Sequence, residues 1–349
     1  MSVTSGRYEQ LIQDLRAEVR PQREWIERQG LLLIVGHFLS GVAAGTWIFS
    51  LVFHFPAGLA VAYAIAAMSA AAHLGFLGRP ARFWKMWHAR SSWIARGFVG
   101  LTLFLGGGVL YLIPIFLSAS PWQSGSLIAQ AGYFLAFAGM ILLLFYKGFV
   151  YSSSKGVPFW TSPILPALYL AYALRGGVAA LLVICSFNGI NLDSSALGLL
   201  ELWIGISAAV MILFYLGVMS GSSPIEQYSV RELLRGRAAV SFYVGTLLIG
   251  LGVPIGIGLT GLGAPLSLGA VALVGLASVV GDFFVKYSIA KAGVYRSLTS
   301  PSHWREKPVA GVFSGHGQHH SPRAEEVLSL PRKRESRHRK DSGFPFSRE

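Results

Sequence analysis

Eight stretches of apolar residues alternate with short polar links along the chain, at roughly 31–53, 57–77, 93–117, 126–146, 163–186, 196–219, 240–262 and 265–289. A helix needs about 20 apolar residues to cross a bilayer at 1.5 Å per residue, and each stretch meets that length. The pattern predicts an all-α integral membrane protein, a bundle of eight transmembrane helices. A polar segment, 1–30, precedes the membrane domain of 31–290, and a basic segment, 291–349, follows it. In the first segment Tyr8, Leu11, Ile12, Leu15 and Val19 follow helical spacing until Pro21 stops the run. This predicts a short amphipathic helix, on the membrane face or against a partner. The first apolar run is too long for a signal-peptide core, so insertion through the chain's own helices is expected.

Composition supports the same class. The chain is 53% apolar and only 13% charged, with a mean hydropathy of +0.54. Its 41 glycines fit packed membrane helices. The pairs Gly41/Gly45 and Gly252/Gly256 have the spacing that lets helices approach closely, although scattered glycine explains each pair equally well. The single cysteine, Cys185, excludes an internal disulfide and falls short of an iron–sulfur ligand set, so no metal is expected in this chain.

Charge fixes an expected orientation. Lys and Arg occur in the N-terminal segment (Arg7, Arg16, Arg20, Arg23, Arg28), after the second stretch (Arg79, Arg82, Lys85, Arg90), after the fourth (Lys147, Lys155), after the sixth (Arg231, Arg235, Arg237) and in the C-terminal segment. The odd-numbered links carry none. Short basic loops stay in the cytoplasm, so both termini and the even links should be cytoplasmic, in a bacterial inner membrane. The net charge of +13 then reads as orientation signal and lipid headgroup contact, not as a nucleic-acid surface. The segment after about residue 300 is rich in Arg, Lys, Ser and Pro and is expected to be disordered. Its histidines, His316, His319 and His320, offer at most weak metal binding.

Ionisable residues inside spanning helices are costly and are candidates for function. His37 and His73 lie at similar depth on the cytoplasmic side, about 9 Å and 6 Å in. Such histidines suit hydrogen bonding to a quinone carbonyl and proton transfer. A facing pair also suits a b-type haem iron, and a bond to neighbouring backbone accounts for either one alone. Arg175 lies near mid-membrane and requires a partner or water; Asp282 is nearest in depth, with Glu201 second. Arg175 and Asp282 are therefore candidates for proton transfer or a buried ion pair. Asp282 is also placed to pair with Lys286, one turn along its own helix. Arg175 is also a candidate anion site of a secondary transporter, and Pro163, Pro166 and Gly176/Gly177 permit the helix break such a site uses, but no internal repeat is evident.

Residues 73–94 carry the densest decoration. Arg79, Arg82, Phe83, Trp84, Lys85, Trp87 and Trp93 make a cationic, aromatic link suited to partner docking, although an interfacial tryptophan belt explains part of it. His73-Leu74-Gly75, Gly78-Arg79-Pro80 with Arg82-Phe83-Trp84, and Ser91-Ser92-Trp93-Ile94 resemble the loop leaving the second helix in the DMSO reductase membrane-anchor and NrfD/polysulfide reductase group. The resemblance implies an anchor without metal that holds a quinone, menaquinone or ubiquinone, beside an iron–sulfur subunit, which exchanges electrons with a molybdopterin catalytic subunit. It implies a quinone role for His73. Two departures stand out. The family pattern has a glutamate where this chain has Arg96-Gly97, and Asp282 is the candidate substitute for proton movement. The matched loop also reads as cytoplasmic, which is similar to the anchors of cytoplasm-facing sulfite-oxidising complexes.

Overall fold

A computed structural model of the chain describes residues 19–88, 92–187 and 192–296, with backbone alone at Val19, Trp87 and His88. The expected N-terminal amphipathic helix lies outside the described residues apart from its last position, Val19. Arg90, Ser91 and the tail with its histidines also lie outside them.

Among the described residues, eight helices are long and apolar enough to cross a membrane. They are α1 (Gly30–Val52), α2 (Pro56–Phe76), α3 (Trp93–Phe116), α4 (Leu127–Ser152), α5 (Ile164–Cys185), α6 (Ser194–Ser220), α8 (Ser241–Thr260) and α9 (Leu268–Ala292). A short amphipathic helix, α7 (Pro224–Leu234), fills the sixth link. Local chemistry sets several starts. Ser126 and Ser267 accept hydrogen bonds from the amides of Ala129 and Ala270, and Asp193 Oδ1 accepts from Ser195 and Ala196. Pro56 and Pro224 occupy first-turn positions, where a missing N–H costs nothing.

α1–α2 and α3–α4 are tightly packed hairpins, while α2 and α3 touch each other far less. α1 and α5 are the most buried spans and pack on each other, with α9 against both. Glycine sets that approach: a β-carbon at Gly45 would lie 2.1 Å from the Ala173 carbonyl oxygen, and one at Gly177 would lie 2.0 Å from the Gly45 carbonyl carbon. Gly41/Gly45 is thus a contact of close helices. Gly252/Gly256 is not: nothing lies within 4 Å of a β-carbon at Gly256, and the close approach in that region is Gly250 on Gly281.

α8 begins as a π-helix, Ser241–Gly252, and continues as an α-helix, Val253–Thr260. Pro254 brings no N–H to the carbonyl of Gly250 four residues back, and Arg175 Nη2 donates to that oxygen instead at 2.5 Å. At the end bearing both chain flanks, β1 (Val19–Pro21) pairs antiparallel with β2 (Val294–Arg296). The clamp is reinforced by Arg20 over the Tyr295 ring at 5.0 Å and by the Tyr295 hydroxyl donating to Glu24 at 3.2 Å. Below it Trp25 packs on Trp160 and Tyr151, with ring centroids 4.8 and 5.1 Å away, and roofs the bundle above His37.

Candidate functional site

The divergence of α2 from α3 leaves a groove that ends inside the bundle in a cavity of about 370 Å³. Its walls are apolar: Leu33, Ala70, Leu74, Leu77, Phe98, Leu101 and Leu105 among others. Three polar side chains converge at its inner end, His37 from α1, His73 from α2 and Tyr146 from α4. Phe83 and Met86, from the 3₁₀ turn Pro80–His88 that links α2 to α3, close the end nearest the membrane surface.

The two histidines, expected at similar depth on adjacent helices, face each other with ring centroids 5.5 Å apart and tilted by 57°. His73 Nδ1 lies 2.8 Å from the Ser69 carbonyl, so that nitrogen carries the proton in the neutral ring. Nε2 then accepts, and the Tyr146 hydroxyl lies 3.3 Å from it. The same hydroxyl lies 3.3 Å from Ser40 Oγ, which donates to the His37 carbonyl at 3.0 Å. Two glycines make room for the rings. A β-carbon at Gly36 would lie 2.5 Å from His73 Nδ1, and one at Gly97 would lie 2.3 Å from the Tyr146 ring. Gly97, where the resembling family has a glutamate nearby, therefore gives Tyr146 its place. Arg96 turns back over the Trp93 ring at 4.2 Å.

Arg79, Arg82, Phe83, Trp84 and Lys85 are all exposed, with Trp84 at 52%. Lys85 lies over the Trp84 ring at 5.8 Å. The basic aromatic surface and the pocket thus share one wall, Phe83.

The second polar region lies at mid-membrane. Arg175 does not pair with Asp282, as depth suggested, but with Glu201, Nε to Oε1 at 2.7 Å. Ser278 joins them: its hydroxyl donates to Glu201 Oε1 at 2.5 Å and accepts from Arg175 Nη2 at 3.0 Å. Asp282 pairs with Lys286 one turn along α9. Depth alone misleads because α9 turns Asp282 towards Gly176 and Ser278 towards Arg175. Lys147, assigned to a loop by the hydropathy pattern, is also corrected: α4 continues to Ser152, and the lysine is 0% exposed inside it. Sequence reasoning passed over Tyr146 for the same reason. The one available signal was a Tyr-Lys pair closing an unbroken apolar run.

Among the described residues no cluster of three or more metal-ligating side chains occurs.

The fold and its groove define the class, a multi-pass integral membrane protein with an internal pocket reached from between two helices. The sequence narrows this: the polysulphide reductase NrfD family matches residues 28–296, most of the chain, and the chain belongs to that family. It is similar to the protein NrfD homolog of Haemophilus influenzae, with 27% identity over 154 residues, 42% of this chain and 48% of that protein. It is also similar to the C subunit of polysulfide reductase from Wolinella succinogenes, with 24% identity over 197 residues, 51% of this chain and 62% of that protein. The chain thus spans between about half and three fifths of the length of these curated relatives.

Proposed function

We propose that the chain is the membrane anchor of a molybdenum oxidoreductase complex, exchanging electrons between a docked iron–sulfur subunit and a membrane quinone. The observation that carries this reading is the pocket: a lipid-side groove with apolar walls and a His73–Tyr146 pair at its inner end. A quinone is an apolar tail bearing a ring with two hydrogen-bond-accepting carbonyls, and the pocket matches both parts. Tyr146 and His37 would hold the ring, and His73 would exchange a proton through Nε2. When bound, the quinone supplies two-electron, two-proton redox chemistry at the membrane.

The exposed loop of Arg79, Arg82, Trp84 and Lys85 is the docking surface, separated from the pocket by Phe83. The basic ends of the helices support a cytoplasmic side for this loop, at a bacterial inner membrane. Terminal chemistry, with sulfite oxidation the candidate, belongs to the molybdopterin subunit. A b-type haem between His37 and His73 fits less well, because the Tyr146 hydroxyl stands at the His73 Nε2 that would ligate the iron, whereas a quinone carbonyl can share that hydroxyl. A transporter fits less well because Glu201, Ser278 and the Gly250 carbonyl already hold Arg175 through Nε and Nη2.

Purification in mild detergent through an N-terminal tag tests the assignment. Two soluble subunits carrying iron and molybdenum, with no Soret band, are expected. A Soret band in the isolated protein supports the cytochrome instead, and anion uptake by the protein alone in liposomes supports the transporter.

A further inference from the structure

The link between α2 and α3 has two faces, and they meet different surroundings. Phe83 and Met86 line the end of the pocket nearest the membrane surface. Phe83 also packs edge-on against Phe98 of α3, with ring centroids 5.8 Å apart. Arg79, Arg82, Trp84 and Lys85 are exposed on the other side. Their charge is uncompensated within the neighbouring sequence. Between Glu27 and Asp193 the chain contains no Asp or Glu, so no acid lies anywhere in α1 to α5 or in the links that join them. A surface of one sign with a tryptophan beside it fits a protein partner that presents an acidic face. Attraction between opposite charges steers such a docking, and the aromatic ring supplies contact area.

The build of the turn makes it sensitive to what holds its outer face. It runs for nine residues as a 3₁₀ helix, whereas such helices rarely exceed about four residues because their hydrogen bonds are poorly aligned. It touches α2 and α3 only lightly. It leaves α2 at Leu77, whose amide donates to the carbonyls of His73 and Leu74 at 3.3 and 3.2 Å. The turn therefore departs from the same helical turn that carries His73. Gly78 comes next, and a β-carbon there would meet nothing within 4 Å. Phe83 and Met86 are thus its main hold on the bundle, and both stand at the pocket.

We propose that this turn couples two binding events. An acidic face of the iron–sulfur subunit holds its outer side, Phe83 and Met86 are thereby fixed over the pocket, and docking and quinone binding strengthen each other. The proposal rests on the quinone reading and adds the chemistry of the partner face and a means of control. An anchor without its partner holds quinone weakly, and an anchor filled with quinone holds its partner more tightly. Such coupling is reciprocal by thermodynamic necessity, so one factor describes both effects, and couplings between sites are typically about 5–150-fold.

The test measures that factor twice. The full chain alone and the complex with its native partners are placed in nanodiscs of zwitterionic lipid, and each is titrated with a fluorescent hydroxyquinoline N-oxide as quinone analogue. The complex should bind it about tenfold more tightly. The dissociation constant for the soluble partners, read by dilution at raised salt, should fall by the same factor when the analogue is saturating. Phe83 is 41% exposed, so Phe83→Ala does not hollow the core. In that variant both factors should drop below about twofold, while Phe83→Leu, which keeps an apolar cover, should retain most of each. A side chain that is only a wall would lower affinity in chain and complex alike; an unchanged ratio in Phe83→Ala would therefore overturn the proposal. Equal affinity of the wild-type chain and complex would overturn it too and leave the quinone reading intact. So would discs of anionic lipid that raise the affinity of the chain alone as far as the partners do, because the outer face would then take headgroups. No binding to either chain or complex would overturn the quinone reading with it.

Discussion

His73 and Arg175 are both polar side chains in membrane-spanning helices, yet their surroundings are built on opposite lines. His73 stands at the end of a groove with one wall missing, held by one backbone carbonyl and one phenol. Arg175 is enclosed on every side, bonded to a carboxylate, a hydroxyl and a carbonyl on three other helices. The first arrangement leaves room for a partner to arrive and leave. The second joins α5, α6, α8 and α9 and gains its stability from being closed. Burial of an ionisable group therefore does not by itself mark a ligand site in this protein. Access does: buried polar atoms without a partner occur in both regions, at His37 Nδ1 and at Arg175 Nη1 and Glu201 Oε2.

The sharpest way to break the comparison is to open the closed region. Arg175→Met leaves Glu201 buried without its partner and should destabilise the detergent-solubilised protein by about 3–5 kcal/mol. Pairing it with Glu201→Leu should restore more than half of that, because the buried charge goes with the arginine. Thermal unfolding of the three proteins checks this, and an additive double variant would contradict it. Gly177→Val tests the packing beneath the pair. Its added carbons meet the Gly45 backbone, and a loss of about 1–3 kcal/mol is expected by the same measurement.

At the open region the order reverses: binding should change and stability should not. His73→Ala should weaken quinone-analogue binding about tenfold, or about 1.4 kcal/mol. Its unfolding midpoint should stay close to that of the wild type. Tyr146→Phe removes one hydroxyl contact from the same site, worth about 1 kcal/mol, so a loss of about fivefold is expected in the same titration.

The smallest effect lies at the clamp. Burial and the neighbouring Glu24 carboxylate push the Tyr295 phenol up to about 12 from its ordinary value of 10.0. Its folded pKa is raised, so its contribution to the β1–β2 pairing is complete below about pH 10 and fades as pH rises through about 12. Hydrogen exchange at the strand amides should show that fading in the wild type and lose it in Tyr295→Phe.

The eight spans were legible because hydrocarbon thickness dictates length, and their ends fall within a few residues of the pattern except at α4. There the run Tyr146-Lys147-Gly148 reads as a loop start because hydropathy penalises a lysine, while the fold buries it. Half of the site was legible. His37 and His73 share a depth on adjacent helices, and depth is a property of sequence position. Tyr146, the third member, comes from a helix far along the chain. Which way each helix is rotated decides the rest, and a single apolar sequence carries almost no signal for it: α9 is nearly uniform around its circumference. That is why Arg175 was matched to Asp282 by depth while rotation gives it Glu201. The β1–β2 clamp joins segments about 275 residues apart and has no local signature.

The central claim is that the groove between α2 and α3 holds a quinone with its ring against His73 and Tyr146. Photolabelling the purified protein with an azidoquinone, followed by mass spectrometry of its peptides, tests this most directly. Label is expected on residues 83–86 and 94–106, competed away by natural quinone and lost in His73→Ala. Label spread over the lipid-facing helices without competition, or unchanged in His73→Ala, would contradict it.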